Sequence, residues 1–210
     1  MLGLMHRQIL ERTGAGALAV ALFVASTACG RRSMDERNAP DDRSPRAETR
    51  EPNTEQRTPT PADAADVSTI DGIIAALYEA VSFQPGGVSD WDRLRSLFHP
   101  DGRLIPPRGD EPALQVMDVE RFIRLSTAYV DESGMRAQGF HEQEIGRRQD
   151  VFGNVAQVFS AYASRRTVDD PEPFARGVNA IQLVRDNGRW WVLSIAWDVE
   201  TPENPVVGTR

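Results

Sequence analysis

The chain has 210 residues and a net charge of −7, and all 24 of its basic residues are arginine. Because these arginines are scattered and form no basic stripe, we expect no nucleic-acid partner. The single cysteine excludes an intramolecular disulfide, and a domain of about 140 residues buries enough surface to need no metal or disulfide staple.

Residues 1–28 predict a secretory signal peptide. A charged start precedes an uncharged apolar run over 14–28, which is shorter than the roughly 20 residues of a stable helical span. Small residues end this run directly before Cys29, the only cysteine. The arrangement resembles a bacterial lipobox, in which the cysteine is lipidated and becomes the new N-terminus. Ser26 departs from the usual leucine, so cleavage after Ala28 and secretion of a soluble protein is the alternative.

The lipobox resemblance implies that the membrane is a partner through lipid on Cys29. The protein would then be anchored in the cell envelope on the extracytoplasmic side, because two or more lipid chains hold a protein on a membrane. Gly30 after the cysteine implies the outer membrane, facing the periplasm, in a cell that has one.

Residues 29–66 are predicted to be the lipidated cysteine and a disordered linker. The stretch 31–66 has 16 charged residues, five prolines and no aromatic residue. Such a segment cannot bury enough apolar surface to offset the entropy of ordering it. We interpret it as a spacer before a folded domain over 67–205, with 206–210 as a tail.

The first half of the domain has helical periodicity. Apolar residues at three- and four-residue steps predict a helix over 70–81 with Ser68 as its N-cap. Ser89 is predicted to cap a second helix, and a third runs roughly from Asp118 to Asp131. Between them, His99 to Gly102 predict a turn, and the next three residues predict a short strand.

The second half has a period of two and predicts an antiparallel sheet. Asn187-Gly188 is a strong hairpin signal between two of its strands. Helices followed by antiparallel strands predict an α+β fold. The four predicted strands are 140–150, 155–166, 175–185 and 190–199.

Two stretches, Trp91 to Gly102 and Gly188 to Asp198, resemble the nuclear transport factor 2-like superfamily, which includes ketosteroid isomerases and SnoaL-like polyketide cyclases. The resemblance covers about residues 67–205. It implies a cystatin-like cone, in which a curved antiparallel sheet wraps round N-terminal helices and encloses an apolar pocket. It also implies a homodimer through the outer face of the sheet.

The isomerase resemblance implies three catalytic positions, and the chain fills one of them. Tyr78 stands where a tyrosine of the first helix would stabilise an oxyanion. Pro106 falls at the position of the base, and Ala180, beside Asn179, at that of a later aspartic acid. We therefore assign no catalytic residue and expect Tyr78 to be hydrogen-bonded inside the cone.

Other catalytic arrangements rest on composition alone. No cofactor or metal is expected, because the domain has two histidines and no ligand spacing such as HExxH. A dehydratase-like pair would need His141 with a carboxylate. Glu142 and Glu144 are candidates by composition only, and Glu142 cannot share a face with His141 because adjacent strand residues face opposite ways. Asp101 is possible if the fold places it near His141.

Aromatic and apolar residues on the last two strands support ligand binding. By likeness to the family, the alternate residues from Trp191 to Trp197 face the cone, as do those from Arg176 to Gln182. Trp190 would then lie on a dimer surface. The alternative is that the tryptophans only fill the core. The predicted ligand-binding residues are Tyr78, His141, Val178, Asn179, Gln182, Trp191, Leu193 and Trp197.

The sequence therefore favours an envelope-tethered domain that binds a small apolar ligand or another protein and has no catalytic activity. The alternative is a cofactor-free lyase or isomerase, dehydratase-like or cyclase-like, acting on a small apolar substrate in the cone. A structural dimer without a ligand is a third hypothesis.

Overall fold

The computed structural model describes residues 61–109, 111 and 113–206. The predicted signal peptide, the lipidation site Cys29, the linker up to residue 60 and tail residues 207–210 lie outside the described residues. Within the described residues, no helix has the length and apolar character needed to cross a membrane.

The described residues form helices first and a five-stranded sheet mainly afterwards, so the predicted α+β class is confirmed. In chain order the elements are α1 (Ala64–Val67), α2 (Ile70–Val81), α3 (Trp91–Leu97), β1 (Phe98–Ile105), α4 (Val119–Glu132), α5 (Met135–Gln138), β2 (His141–Phe152), β3 (Val155–Arg165), β4 (Ala175–Asp186) and β5 (Arg189–Val199).

The sheet is curved and unclosed, with the strand order β1-β5-β4-β3-β2. Strands β2 to β5 are antiparallel as predicted, and β1 joins the edge parallel to β5. The predicted turn from His99 to Gly102 is instead part of β1, where the register with β5 is irregular. A side chain at Gly102 would meet the Phe98 ring at 2.9 Å, so this irregular segment requires a glycine.

Two predicted helix caps are wrong by one residue. Thr69, which has an extended backbone, caps α2 by accepting a hydrogen bond from the Gly72 amide at 2.9 Å. Ser68 has a helical backbone and closes α1, so its side chain cannot serve as an N-cap. Asp90 caps α3, while the Ser89 hydroxyl donates to the Val81 carbonyl at 2.9 Å.

Helix α1 lies in the segment that was predicted to be linker. Its Asp66 carboxylate accepts two hydrogen bonds from the Arg93 guanidinium of α3, at 2.7 and 2.8 Å. This bidentate contact raises the pKa of Arg93, so its charge is secure. The folded domain therefore begins before residue 67, and an ion pair that composition could not reveal orders its start.

The inner face of the sheet, which carries the buried side chains, differs from the predicted one on β5. Gln182 pairs with Ser194 and Leu183 pairs with Val192, so Leu193 is an extra residue in a β-bulge. The bulge moves buried side chains from even to odd positions along the strand. Trp190, predicted at a dimer surface, is therefore buried, as is Trp197 beyond the bulge.

The bulge also places Trp191 and Leu193 on the outer face, so their predicted inward orientation is wrong. Leu193 is exposed, and the Arg189 guanidinium covers the Trp191 ring at 3.5 Å. On β4 the predicted face is also wrong, because Asn179 and its alternate residues are buried. Val178 and Gln182 consequently point outward, and the Gln182 side chain accepts a hydrogen bond from the Ser194 hydroxyl at 3.2 Å.

Candidate functional site

The inner face of the sheet is apolar towards the β4–β5 hairpin and polar towards the opposite end. Val158, Ile181 and Ile195 lie in the apolar part and are fully buried. The polar part faces Tyr78 of α2, as the hydrogen bond between Tyr78 and Ser160 shows. We call the following residues the polar cluster: Tyr78, Glu142, Glu144, Ser160, Tyr162, Ser164 and Asn179.

Four side chains of the polar cluster form one hydrogen-bonded chain. The Asn179 amide nitrogen donates to the Tyr78 hydroxyl at 3.1 Å, and that hydroxyl lies 2.6 Å from the Ser160 hydroxyl. Ser160 donates to Glu144 Oε1 at 2.5 Å. Because a serine has a single hydroxyl hydrogen, Tyr78 must be the donor to Ser160. The hydrogen-bonded chain therefore runs in one direction, from Asn179 through Tyr78 and Ser160 to Glu144.

Arg147 holds the outer end of the hydrogen-bonded chain. Its guanidinium donates to both carboxylate oxygens of Glu144, at 2.9 and 2.7 Å, and to Asp71 of α2 at 2.5 Å. These contacts raise the pKa of Arg147, chiefly through the hydrogen bonds to Glu144. A charge-assisted pair thus terminates the chain near the surface, where the Asp71 side chain is largely exposed.

Glu142 is a carboxylate inside the fold, with 2% of its surface exposed. Its Oε2 accepts a hydrogen bond from the Ser164 hydroxyl at 2.9 Å, and its backbone amide donates to the Ser82 hydroxyl at 3.0 Å. The prediction from sequence included Glu142 only as a possible partner of His141. The signal that could have found it is the period of two from buried Phe140, which places Glu142 and Glu144 on the same face.

Both tyrosines of the polar cluster are held neutral. Burial strongly raises the pKa of Tyr78, and the nearby charge of Glu142 raises it further. Burial and the same carboxylate raise the pKa of Tyr162, whose hydroxyl donates to the Asp198 carbonyl at 3.3 Å. The tyrosines therefore act as hydrogen-bonding hydroxyls and not as bases.

Two polar atoms beside the hydrogen-bonded chain are buried and have no hydrogen-bond partner among the described residues. They are the amide oxygen of Asn179 and the indole nitrogen of Trp197. These residues are 1% and 5% exposed and lie directly opposite each other on β4 and β5. One unpartnered acceptor and one unpartnered donor are thus carried by paired residues on the inner face.

Helix α4 contacts Trp197 through an aromatic side chain. The Phe122 ring packs edge-on against the Trp197 indole, with 6.2 Å between centroids. Ser126, one turn later on α4, has a buried hydroxyl that also lacks a hydrogen-bond partner among the described residues. Aromatic side chains and a few polar atoms are therefore packed together between α4 and the sheet.

The structure brings together three of the predicted ligand-binding residues, Tyr78, Asn179 and Trp197. It separates the other five from them. His141 lies on the face of β2 opposite Glu142, across from Arg165, and Asp101 has His99 as its histidine neighbour at 3.8 Å. The remaining members, Val178, Gln182, Trp191 and Leu193, are on the outer face as described above.

The predicted alignment with isomerases shifts by one residue on β4. Asn179, and not Ala180, faces Tyr78, so an amide stands where the resemblance implies a carboxylic acid. Pro106 follows β1 directly and has no side-chain group that could accept a proton. The hydrogen-bonded side chains of Tyr78 and Asn179 can hold a polar group.

A second polar region is a surface cleft of about 290 Å³ beside α1 and α3, and its acidic side chains stabilise these helices. Its Asp63 and Asp90 cap the two helices, and its Asp66 binds Arg93. Among the described residues, no group of three or more histidine, cysteine, aspartate or glutamate side chains is arranged to hold a metal ion.

Comparison with known proteins gives similarity to solved structures alone. No protein-family model and no curated protein sequence matches the chain. One similar structure is a cystatin-like-fold protein of unknown function from Nostoc punctiforme, with 16% identity, a TM-score of 0.45, and coverage of 64% of this chain and 91% of that one. Another is a nuclear transport factor 2-like protein of unknown function from Shewanella baltica, with 14% identity, a TM-score of 0.39, and coverage of 61% and 86%.

A third similar structure is a nuclear transport factor 2-like protein with a cystatin-like fold from Novosphingobium aromaticivorans. It has 13% identity and a TM-score of 0.41, and the match covers 55% of this chain and 73% of that one. These similarities concern the fold alone.

Proposed function

We propose that this domain binds a small amphipathic ligand between α4 and the inner face of the sheet. The observation that carries the proposal is the pair of buried, unpartnered atoms on Asn179 and Trp197. Leaving a buried donor or acceptor unpaired costs about 1–3 kcal/mol, so native proteins rarely keep such groups. A ligand that pairs with both atoms recovers this free energy on binding.

The surroundings suit a ligand with an apolar ring. The rings of Trp91, Phe122 and Trp197 pack edge-to-face in succession, at 6.3 and 6.2 Å between centroids. Apolar walls with a few fixed polar groups are the usual composition of small-molecule sites. A ring would contact these aromatic side chains while its polar group meets Asn179 and Trp197.

A cofactor-free lyase or isomerase is the second candidate function. The hydrogen-bonded chain favours it, because a hydroxyl relay that ends at a carboxylate could move a proton between a ligand and the surface. Binding is preferred, since the strongly raised pKa of Tyr78 makes its hydroxyl a weak acid, which does not readily release its proton to a substrate. If the wild-type protein converts a bound probe to a product and the Tyr78→Phe variant does not, the domain is an enzyme.

Ligand binding can be tested with p-cresol, an aromatic ring that carries one hydroxyl group. Titration of the protein should shift the Trp197 indole N–H resonance in a ¹H–¹⁵N correlation spectrum, because that group gains a hydrogen-bond acceptor. Trp197→Phe assigns the resonance. Asn179→Leu removes the amide at similar volume and should weaken binding by about tenfold or more, since one buried hydrogen bond is lost.

The outer face supplies matched controls for both substitutions. Trp191→Phe repeats the tryptophan substitution on the outer face, and Gln182→Leu likewise replaces a side-chain amide there by leucine; we expect neither to alter the affinity. If p-cresol leaves the Trp197 resonance unmoved, or if the outer-face variants weaken binding as much as the inner ones, the proposed site is wrong.

We also propose that the domain is tethered to the cell envelope through lipid on Cys29. Cells grown with a palmitate analogue should label the wild-type chain and retain it in the membrane fraction, because lipid chains hold the mature protein there. Cys29→Ser should lose both the label and the retention. Absence of label from the wild type would contradict the tether and favour the secreted form.

A homodimer through the outer face of the sheet stays a prediction of the resemblance. Exposed Phe159 and Leu193 lie on that face and supply apolar surface for it.

A further inference from the structure

We infer that the ligand presents a hydroxyl group to Asn179 and Trp197, and that the charge of Glu144 imposes this preference through the hydrogen-bonded chain. The inference rests on the proposed function and names the chemical class of the ligand at that site. It concerns the polar end of the ligand and leaves the apolar part open.

A hydroxyl group fits the two unpartnered atoms because one oxygen can donate and accept at once. The indole N–H of Trp197 can only donate, and the amide oxygen of Asn179 can only accept. Side chains directly opposite each other on neighbouring strands are about 4.5–5.5 Å apart at Cβ, so the two groups start from adjacent positions on the inner face. An ether or ketone oxygen would pair with Trp197 and leave the Asn179 oxygen unpaired.

The direction of the hydrogen-bonded chain determines which end of the Asn179 amide is free. Ser160 gives its hydrogen to Glu144, and Tyr78 gives its hydrogen to Ser160. The Tyr78 oxygen must then accept, so the amide nitrogen of Asn179 turns towards it and the amide oxygen turns away. The orientation of the amide follows from the network, which is how an asparagine side chain has to be assigned.

Glu144 sets this direction because a carboxylate that pairs with Arg147 can only accept hydrogen bonds. A neutral amide at this position could instead donate to Ser160. Ser160 would then donate to Tyr78, and Tyr78 to the oxygen of Asn179. The Asn179 amide would turn over and present its nitrogen to the ligand, so the site would lose its preference for a donor.

A carboxylate ligand would offer acceptors only, so it would pair with Trp197 and leave the Asn179 oxygen unpaired. A primary ammonium group would pair with Asn179 but offers no acceptor to Trp197. A neutral alcohol or phenol is therefore the class that matches both atoms.

The test compares p-cresol with 4-methylanisole, which differs from it only by methylation of the hydroxyl oxygen. We expect p-cresol to bind at least about tenfold more tightly, since the ether leaves a buried acceptor unpaired. Equal affinities for the two probes would overturn the hydroxyl inference and leave the proposed ligand site standing. Binding of neither probe would overturn the proposed function itself.

The role of Glu144 is tested by the ratio of the two affinities. In Glu144→Gln the ratio should fall to within about threefold, because the hydrogen-bonded chain can reverse. Asp150→Asn removes the same charge from an exposed position on β2 and should keep the wild-type ratio. Ser160→Ala interrupts the chain at another residue and should also lower the ratio, which keeps the test available if Glu144→Gln fails to fold. A wild-type ratio in a folded Glu144→Gln or Ser160→Ala protein would overturn the inference.

Discussion

Gly177→Ala should destabilise the domain by about 3 kcal/mol, the upper end of the usual cost of overpacking. A β-carbon at Gly177 would overlap both the Tyr162 hydroxyl and the Asp198 carbonyl oxygen. Tyr162 is directly opposite Gly177 on β3 and is fully buried, so its ring cannot move aside. Relief would have to come from the backbone, at the expense of the pairing between β4 and β5.

Urea unfolding of wild type and variant measures this free energy. Gly188→Ala is the matched control, because its β-carbon would meet open space and only its positive φ of 81° opposes the substitution. We expect that control to cost about 1 kcal/mol. Equal losses in the two variants would show that the close approach of Tyr162 to Gly177 is not what requires a glycine.

The free energy of unfolding should fall steeply as the pH rises into the alkaline range. An unfolded tyrosine loses its proton near pH 10, whereas burial raises the pKa of Tyr78 and Tyr162 in the folded state. Their contribution to stability is complete below about pH 10 and is lost as pH rises towards the folded-state pKa, since only the unfolded chain releases protons there. The two tyrosines together should lower the free energy of unfolding by roughly 3 kcal/mol per pH unit above about pH 11.

Few other groups titrate in the same pH range, because the chain has no lysine and three tyrosines. Urea unfolding at closely spaced pH values from 9 to 12 gives the slope, with ~1.4 kcal/mol per pH unit expected for each buried tyrosine. Tyr78→Phe and Tyr162→Phe should each reduce the slope by about half. A slope that neither substitution changes would refute the contribution of these two hydroxyls.

The types and order of the elements follow from local patterns. The apolar steps from Ile70 to Val81 and the Asn187-Gly188 turn act within a few residues, and the structure has the helix and the hairpin there. The caps at Thr69 and Asp90 were missed by one position, because neighbouring residues offer similar side chains and the backbone angles decide between them.

The faces of the strands could not be predicted reliably. On β4 both faces carry apolar residues, so alternation alone cannot distinguish Val178 from Ile181. On β5 the bulge at Leu193 reverses the alternation halfway along the strand, and no residue type in the stretch marks it. Because Leu193 is an extra residue in the pairing of β5 with β4, Trp191 lies on the outer face and not in the predicted site.

The sequence by itself determined the α+β class and the order of the main helices and strands, because periodicity and turn residues are local properties of the chain. Only the tertiary structure decided that Asn179 meets Tyr78 from 101 residues away and that Ser160 connects them to Glu144. Hydrogen bonds between distant segments depend on strand register and on the bulges that shift it. For that reason the burial of the glutamates and the direction of the hydrogen-bonded chain depend on the fold and cannot be predicted from any single segment.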